Sequence, residues 1–131
     1  MPRYLLDADT VSYALRGHGQ AAARILEHVP SDLCISSITL AELRFGAERK
    51  KSQKLRKAIR SFVKDLTVLP FDEAAAERFA EVAAGLAGKG SPIGILDTLV
   101  AAQALSRGLT VVTNNTRHFR RVPGLRVENW S

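Results

Sequence analysis

Residues 4–13 read YLLDADTVSY, and the reading given to this stretch decides the fold. Tyr4, Leu5 and Leu6 form a short apolar run, followed at once by two aspartates, Asp7 and Asp9, with Thr10 and Val11 behind them. A run of this length reads as a buried strand from Arg3 to Leu6, which leaves Asp7 at its carboxyl end. An aspartate there has two chemical uses. It can be a nucleophile that accepts a phosphoryl group, or it can hold a metal ion while water attacks the substrate. A third reading needs no chemistry, because Asp is a favoured N-cap for the helix that follows.

Outward from this stretch, helices are expected over Thr10–Leu15 and Gln20–His28, with RGHG between them and a break at Pro30-Ser31. LCIS (Leu33–Ser36) reads as a second strand, and helices follow over Ser37–Arg49 and Ser52–Lys64. In the latter, Leu55, Ile59, Phe62, Val63 and Leu66 recur at helical spacing and give one buried face. LTVLP is a third strand, FDEAAAERFAEVAAGLA an amphipathic helix, GKGSPIG a loop, and Leu96–Ser106 an apolar helix. Leu109–Thr113 is a fourth strand, and the tail predicts a short helix, a turn at Pro123-Gly124 and a last edge strand. Strands alternating with helices predict an α/β fold in three α/β/α layers around a mostly parallel sheet of four to five strands. In such sheets ligands sit beyond the carboxyl ends of the strands, where strand order reverses.

The chain has 131 residues, which suits one domain over 1–131. With 46% hydrophobic and 24% charged residues it has the composition of a soluble globular protein. No apolar run approaches the roughly 20 residues of a membrane span. The opening MPRYLLDADT is too short and too soon acidic for a signal peptide, and a lone Cys34 leaves no internal disulfide. A cytoplasmic protein is therefore expected. Cys34 lies in the apolar LCIS and reads as core. Neither a Cys/His zinc cluster nor a phosphate-binding P-loop is present. The net charge of +6 suggests a polyanionic partner, nucleic acid being the usual one.

Three carboxylates stand where solvent alone would not put them. Asp7 ends a strand. Glu42, in SSITLAELRFGAE, shares a helical face with Ile38, Phe45 and Gly46, and a carboxylate on an apolar stripe is costly unless paired or ligating. Thr39 to Glu42 also has capping-box form, but Ser36 or Ser37 is an earlier and equally good cap, which leaves Glu42 inside the helix. Asp97, in SPIGILDTLVAAQAL, lies before or within the first turn of an apolar helix, where a negative charge is favourable by about 0.3–1 kcal/mol in any case. Acids sent together from separate elements repel one another unless a cation neutralises them. For an all-oxygen site that cation is Mg²⁺, with Mn²⁺ able to substitute.

At this point the chain resembles a PIN-domain ribonuclease of the VapC toxin type, from type II toxin–antitoxin systems. The matching segments are YLLDADTVSY, SSITLAELRFGAERK, SPIGILDTLVAAQALSRG and LTVVTNNTRHFRRVPGLRVENW, in family order across essentially the whole chain. The resemblance implies Mg²⁺-dependent endoribonuclease activity that arrests translation and growth, with Asp7, Glu42 and Asp97 as the metal-holding catalytic acids. It implies Thr113 and Asn114 as polar residues lining the site. It also implies a VapB-type antitoxin partner whose C-terminal segment crosses the site groove, a homodimer, and a structured RNA substrate, with tRNA the expected target. Two departures stand out. Asp9 replaces the family's usual Asn, and neither Asn115 nor His118 is the fourth acid that many members carry. Asp9 could compensate, His118 could ligate, or a single metal could bind.

Three other readings compete. A haloacid-dehalogenase-type phosphatase shares the D-x-D opening but needs a late lysine and acidic pair, whereas only Asp97 precedes Glu128 in the later third. A receiver-like module needs a mid-chain phospho-accepting Asp, where this chain has a basic helix. A catalytically impaired PIN-like binding protein, acting in an antitoxin complex, has the missing fourth acid as its support. Among the cations, Arg49, Lys50 and Lys51 at a helix turn and Arg117, Arg120 and Arg121 in the tail are the candidates for RNA phosphates.

Overall fold

The computed structural model describes residues 2–131. Five strands form one sheet: β1 (Tyr4–Leu6), β2 (Leu33–Ser36), β3 (Thr67–Leu69), β4 (Thr110–Val112) and β5 (Arg126–Glu128). Their spatial order is β3-β2-β1-β4-β5, and every pairing is parallel. The strands are flanked by α1 (Ala8–Arg16), α2 (Ala21–Leu26), α3 (Ser37–Lys50), α4 (Gln53–Val63), α5 (Glu73–Gly88), α6 (Ile95–Arg107) and α7 (Thr116–Phe119). The expected α/β/α layering is present, with five fully parallel strands.

Side-chain alternation along the strands sorts the core into two halves. Leu5, Cys34 and Val111 face Leu86, Ile93, Val100 and Ala104 on one side of the sheet. Their neighbours Leu6, Leu33, Ile35 and Val112 face Val11, Ile25 and Trp130 on the other. Successive residues of a strand point to opposite faces, so runs buried throughout, such as LCIS and TVV, are what a sheet covered on both sides requires. Cys34 is fully buried with its Sγ 3.3 Å from the Tyr4 carbonyl, and burial pushes its thiol up to about 12. It is core, as its setting predicts.

The chain departs from expectation mainly at helix ends. α1 begins at Ala8, because Asp7 is its N-cap and its carboxylate accepts from the Ala8 N–H at 2.9 Å. α2 is shorter than expected, ending at Leu26 before a short 3₁₀ turn at Pro30–Asp32. Ser36, not Thr39, caps α3 through the Ile38 N–H, so Glu42 lies inside the helix. The expected apolar stripe of Ile38, Phe45 and Gly46 is not the buried face, since Phe45 is 64% exposed. Instead α3 buries Thr39 and Ala47, with Leu43 packed partly beside them, because that line faces the sheet. Glu42 is left half-buried at its margin.

Strand order reverses between β1 and β4, so their carboxyl ends open the crevice where parallel sheets bind ligands. The Asp7 N–H donates to the Val112 carbonyl at 2.9 Å and extends the ladder to the crevice's lip. Thr10 fastens the same end from α1, donating its hydroxyl to the Val112 carbonyl at 3.1 Å.

Candidate active site

Asp7 is 7% exposed at this lip, and its Oδ2 accepts from the Thr113 hydroxyl at 2.8 Å. That hydroxyl in turn accepts the Asn115 N–H at 3.0 Å, so its one proton is directed to Asp7. Asp9, two residues on, accepts the Asn114 N–H at 3.1 Å, which ties the first turn of α1 to the loop after β4. Asp97 enters from the first turn of α6. Its Oδ2 lies 3.0 Å from Asn115 Nδ2 and 3.1 Å from His118 Nδ1. Those two nitrogens are themselves 2.9 Å apart, so His118 either donates to Asp97 or accepts from Asn115, according to its tautomer.

The electrostatics follow from this crowding. Burial, and then the neighbouring Asp9, raise the Asp7 carboxyl from its ordinary 3.8 to about 7, against the opposing bonds from Thr113 and Ala8. Glu42 is raised by burial and then by Asp97 and Asp9. Four carboxylates from α1, α3, α6 and the end of β1 thus share one field. Among the described residues no three His, Cys, Asp or Glu side chains close into a ready metal cage. The donor set still suits a hard cation. All four groups offer oxygen, their repulsion is what a cation removes, and Mg²⁺ keeps several waters and binds through one or two carboxylates rather than a closed protein shell.

The remaining site candidates divide by position. Thr113, Asn114, Asn115 and His118 are all brought to the acids, and Asn115 and His118 occupy the flank of Asp97 where a fourth acid was expected. Asp9 is a fourth carboxylate in the same field, acting on both Asp7 and Glu42. Lys50 lines a cleft of about 290 Å³ with Asp9, Glu42 and Leu43. Arg49 lies over the Phe45 ring at 5.8 Å, and Lys51 takes a left-handed φ of 50° to end α3. Arg117 and Arg120 are exposed near His118, whereas Arg121 donates to the Pro92 carbonyl at 3.2 Å and braces the loop before α6.

Sequence reading missed Tyr13 and Ser131. Asn114 Nδ2 donates to the Tyr13 hydroxyl at 3.3 Å, and Asn114 Oδ1 accepts the Ser131 hydroxyl at 3.0 Å. Spacing signals Tyr13 only in hindsight, as the residue one turn after Asp9. Nothing local signals Ser131.

Comparison with known proteins places this architecture. The PIN domain model matches residues 4–125. The tRNA(fMet)-specific endonuclease VapC of Salmonella typhimurium is 40% identical over 131 residues, covering 99% of each chain. Ribonuclease VapC2 of Haemophilus influenzae is 37% identical, also over 99% of each. Among solved structures, DNA-bound VapBC from Salmonella typhimurium matches with a TM-score of 0.89 at 40% identity over the whole of both chains. VapBC2 from Rickettsia felis, bound to a promoter DNA fragment, matches at 0.86 and 33% identity over 98% of each. The sheet order, the acid-lined crevice and these full-length likenesses agree, and the chain belongs to the PIN-domain family, in its VapC branch.

Proposed function

We propose that the chain is a Mg²⁺-dependent endoribonuclease, the toxin of a VapBC-type pair, which cuts structured RNA and so arrests translation. The observation that carries this reading is the convergence of Asp7, Asp9, Glu42 and Asp97 on one crevice, where burial, and then the charges of Asp9 and Asp97, lift the Asp7 carboxyl to about 7. Asp7, Asp97 and Glu42 would hold the ion, with Asp9 as a further donor. When bound, it lowers the pKa of water and offsets charge on the phosphoryl oxygens. The Thr113 hydroxyl fixes the rotamer of Asp7, and Asn115 with His118 fixes that of Asp97. Lys50 and the exposed Arg117 and Arg120 face the RNA backbone. Hydrolysis by water breaks the P–O3′ bond and leaves a 5′-phosphate and a 3′-hydroxyl, without the 2′-OH.

The relatives support tRNA, and initiator tRNA in particular, as the target class. Their complexes support a VapB-type antitoxin as partner. The cleft along α1, α3 and α4 has apolar walls at Leu15, Leu43 and Leu55, which suits an inhibitory antitoxin segment. Self-association through exposed Phe45, Ile95 and Leu96, on the touching helices α3 and α6, belongs to the same reading, as does action in the cytoplasm. Sedimentation of the purified chain with and without antitoxin tests both contacts.

The deciding experiment maps new RNA 5′ ends after induction in cells, beside Asp7→Asn and Asp97→Asn controls. A discrete 5′-phosphate cut made by the native chain and by neither variant is expected. Growth arrest without any cut, or a cut that survives Asp7→Asn, overturns the reading. In vitro, the cut must require added Mg²⁺ or Mn²⁺ and stop with chelator.

A further inference from the structure

The protein has few aromatic side chains, and some of them cluster with histidines. Tyr4, His28 and Trp130 pack together, with His28 stacked on Trp130 at 4.5 Å, and Trp130 is buried. That group is core. Tyr13 and His18 form a second pair, and this one stands at the crevice. Tyr13 is four residues after Asp9 on α1, and residues so spaced lie one above the other on a helix, with Cβ atoms about 5–6 Å apart. Its hydroxyl accepts from Asn114, whose own N–H donates to Asp9, which tethers the ring beside the acids.

His18 is brought there by the RGHG sequence. Gly17 ends α1 at φ 67°, the left-handed conformation that favours glycine, and Gly19 repeats it at φ 64°. Between them the chain folds back, the His18 N–H bonds the Tyr13 carbonyl at 2.9 Å, and the imidazole packs against the Tyr13 ring at a tilt of 45°, with centroids 4.8 Å apart. The Arg16 guanidinium lies 5.5 Å from the same ring. His18 and Arg16 are exposed, and Tyr13 is only half-buried. The result is a tethered ring backing an exposed imidazole, with a cation at its side. Histidine, tyrosine and arginine planes are the groups on which unpaired RNA bases stack.

We propose that Tyr13 and His18, flanked by Arg16, form a stacking subsite for one unpaired nucleobase next to the scissile phosphate. The inference rests on the ribonuclease reading and deepens it. It makes the substrate an RNA with an unpaired base at the cut, and it gives the loop between α1 and α2 a part in choosing where the cut falls. A single platform of this size holds one base, which fits a loop or bulge rather than a long single strand.

The test uses the RNA identified by 5′-end mapping, prepared intact and with one abasic nucleotide at each position flanking the cut. Native protein, His18→Ala, His18→Phe and Tyr13→Phe are compared for KM and kcat. His18→Ala is expected to raise KM about tenfold with kcat within about twofold, and His18→Phe to restore KM by returning a flat ring. One abasic position is expected to penalise the native protein and add nothing to His18→Ala, because both remove the same contact. Tyr13→Phe keeps the ring and loses the Asn114 tether, so a smaller rise is expected. Equal abasic penalties in native and His18→Ala protein would overturn the subsite, and so would failure of His18→Phe to rescue. Normal cutting by His18→Ala with loss of antitoxin inhibition would also overturn it and assign the pair to the protein partner. A native protein that neither cuts nor binds RNA overturns the ribonuclease reading itself, a separate result.

Discussion

The amino ends of α1 and α5 are built alike and behave oppositely. Asp7 caps α1 by accepting the Ala8 N–H, and Asp72 caps α5 by accepting the Ala75 N–H at 3.0 Å. Both have the extended backbone of an N-cap. Yet the Asp72 carboxyl is held below its ordinary value, first by the Ala75 bond and then by the Arg107 guanidinium 3.4 Å away. Asp7 is pushed up to about 7 by burial and by Asp9. The capping bond is common to both, so it cannot be what marks a functional aspartate. The difference lies in what surrounds the cap: an exposed guanidinium in one case, a buried crevice of like charges in the other. A helix N-terminus stabilises negative charge by about 0.3–1 kcal/mol, too little to offset burial beside other carboxylates.

The sharpest way to test that contrast is to neutralise each cap. Asp7→Asn is expected to lower the rate of RNA cleavage on the order of a thousandfold or more, with Asp97→Asn close behind. Asp72→Asn should leave single-turnover cleavage within about twofold, well under the effect of any charge acting in the transition state.

Stability against pH should separate the two caps next. The native chain holds the Asp7 proton more tightly than the unfolded chain, so metal-free protein loses stability as pH rises from about 4 to about 7. The slope there approaches about 1.4 kcal/mol per pH unit. Thermal melts in chelator should show this fall, Asp7→Asn should flatten it, and Mg²⁺ should stabilise the native protein more at pH 7.5 than at pH 5. Asp72 has the opposite sign. Its contribution is present above the ordinary carboxylate range and is lost as the solution is acidified through its lowered value.

Smaller effects probe the props around the acids. Thr113→Val removes the hydroxyl that steers Asp7, and should weaken metal binding or cleavage about 10- to 100-fold, with Mg²⁺ titration as the readout. His118→Ala leaves Asn115 on Asp97, and so is expected to cost less than tenfold, within the range of a single lost neighbour of a ligating group. A drop as large as that of Asp97→Asn would make His118 a ligand.

The fold and the acids were readable in the sequence for a common reason. Apolar triplets such as YLL and TVV announce strands covered on both faces, and an acid at the end of such a strand is conspicuous. The spacing singles out Glu42 as a carboxylate on an apolar stripe that the structure does not bury, and only the cap argument agrees with the structure, because Ser36 claims the N-terminus of α3 first. Phe45 was misplaced by the same helix, since angular spacing tells which residues share a face and not which face meets the sheet. Tyr13 with Asn114, and Asn114 with Ser131, were unreadable because each pair is joined only when the loop after β4 closes on α1. The family likeness supplied Thr113 and Asn114, but their bonds to Asp7 and Asp9 needed coordinates.

The bond from Thr113 to Asp7 spans 106 positions of sequence, and β1 is flanked by a strand made near the other end of the chain. A ribosome therefore delivers Asp7 well before its partners. Until residues 110–118 have emerged and paired, the crevice has one wall, and the nascent chain has no assembled cutting edge. For a protein proposed to attack the translation machinery that is making it, parallel β1–β4 pairing acts as a safety interval. The antitoxin proposed as its partner would have that interval to be at hand before the hazard exists.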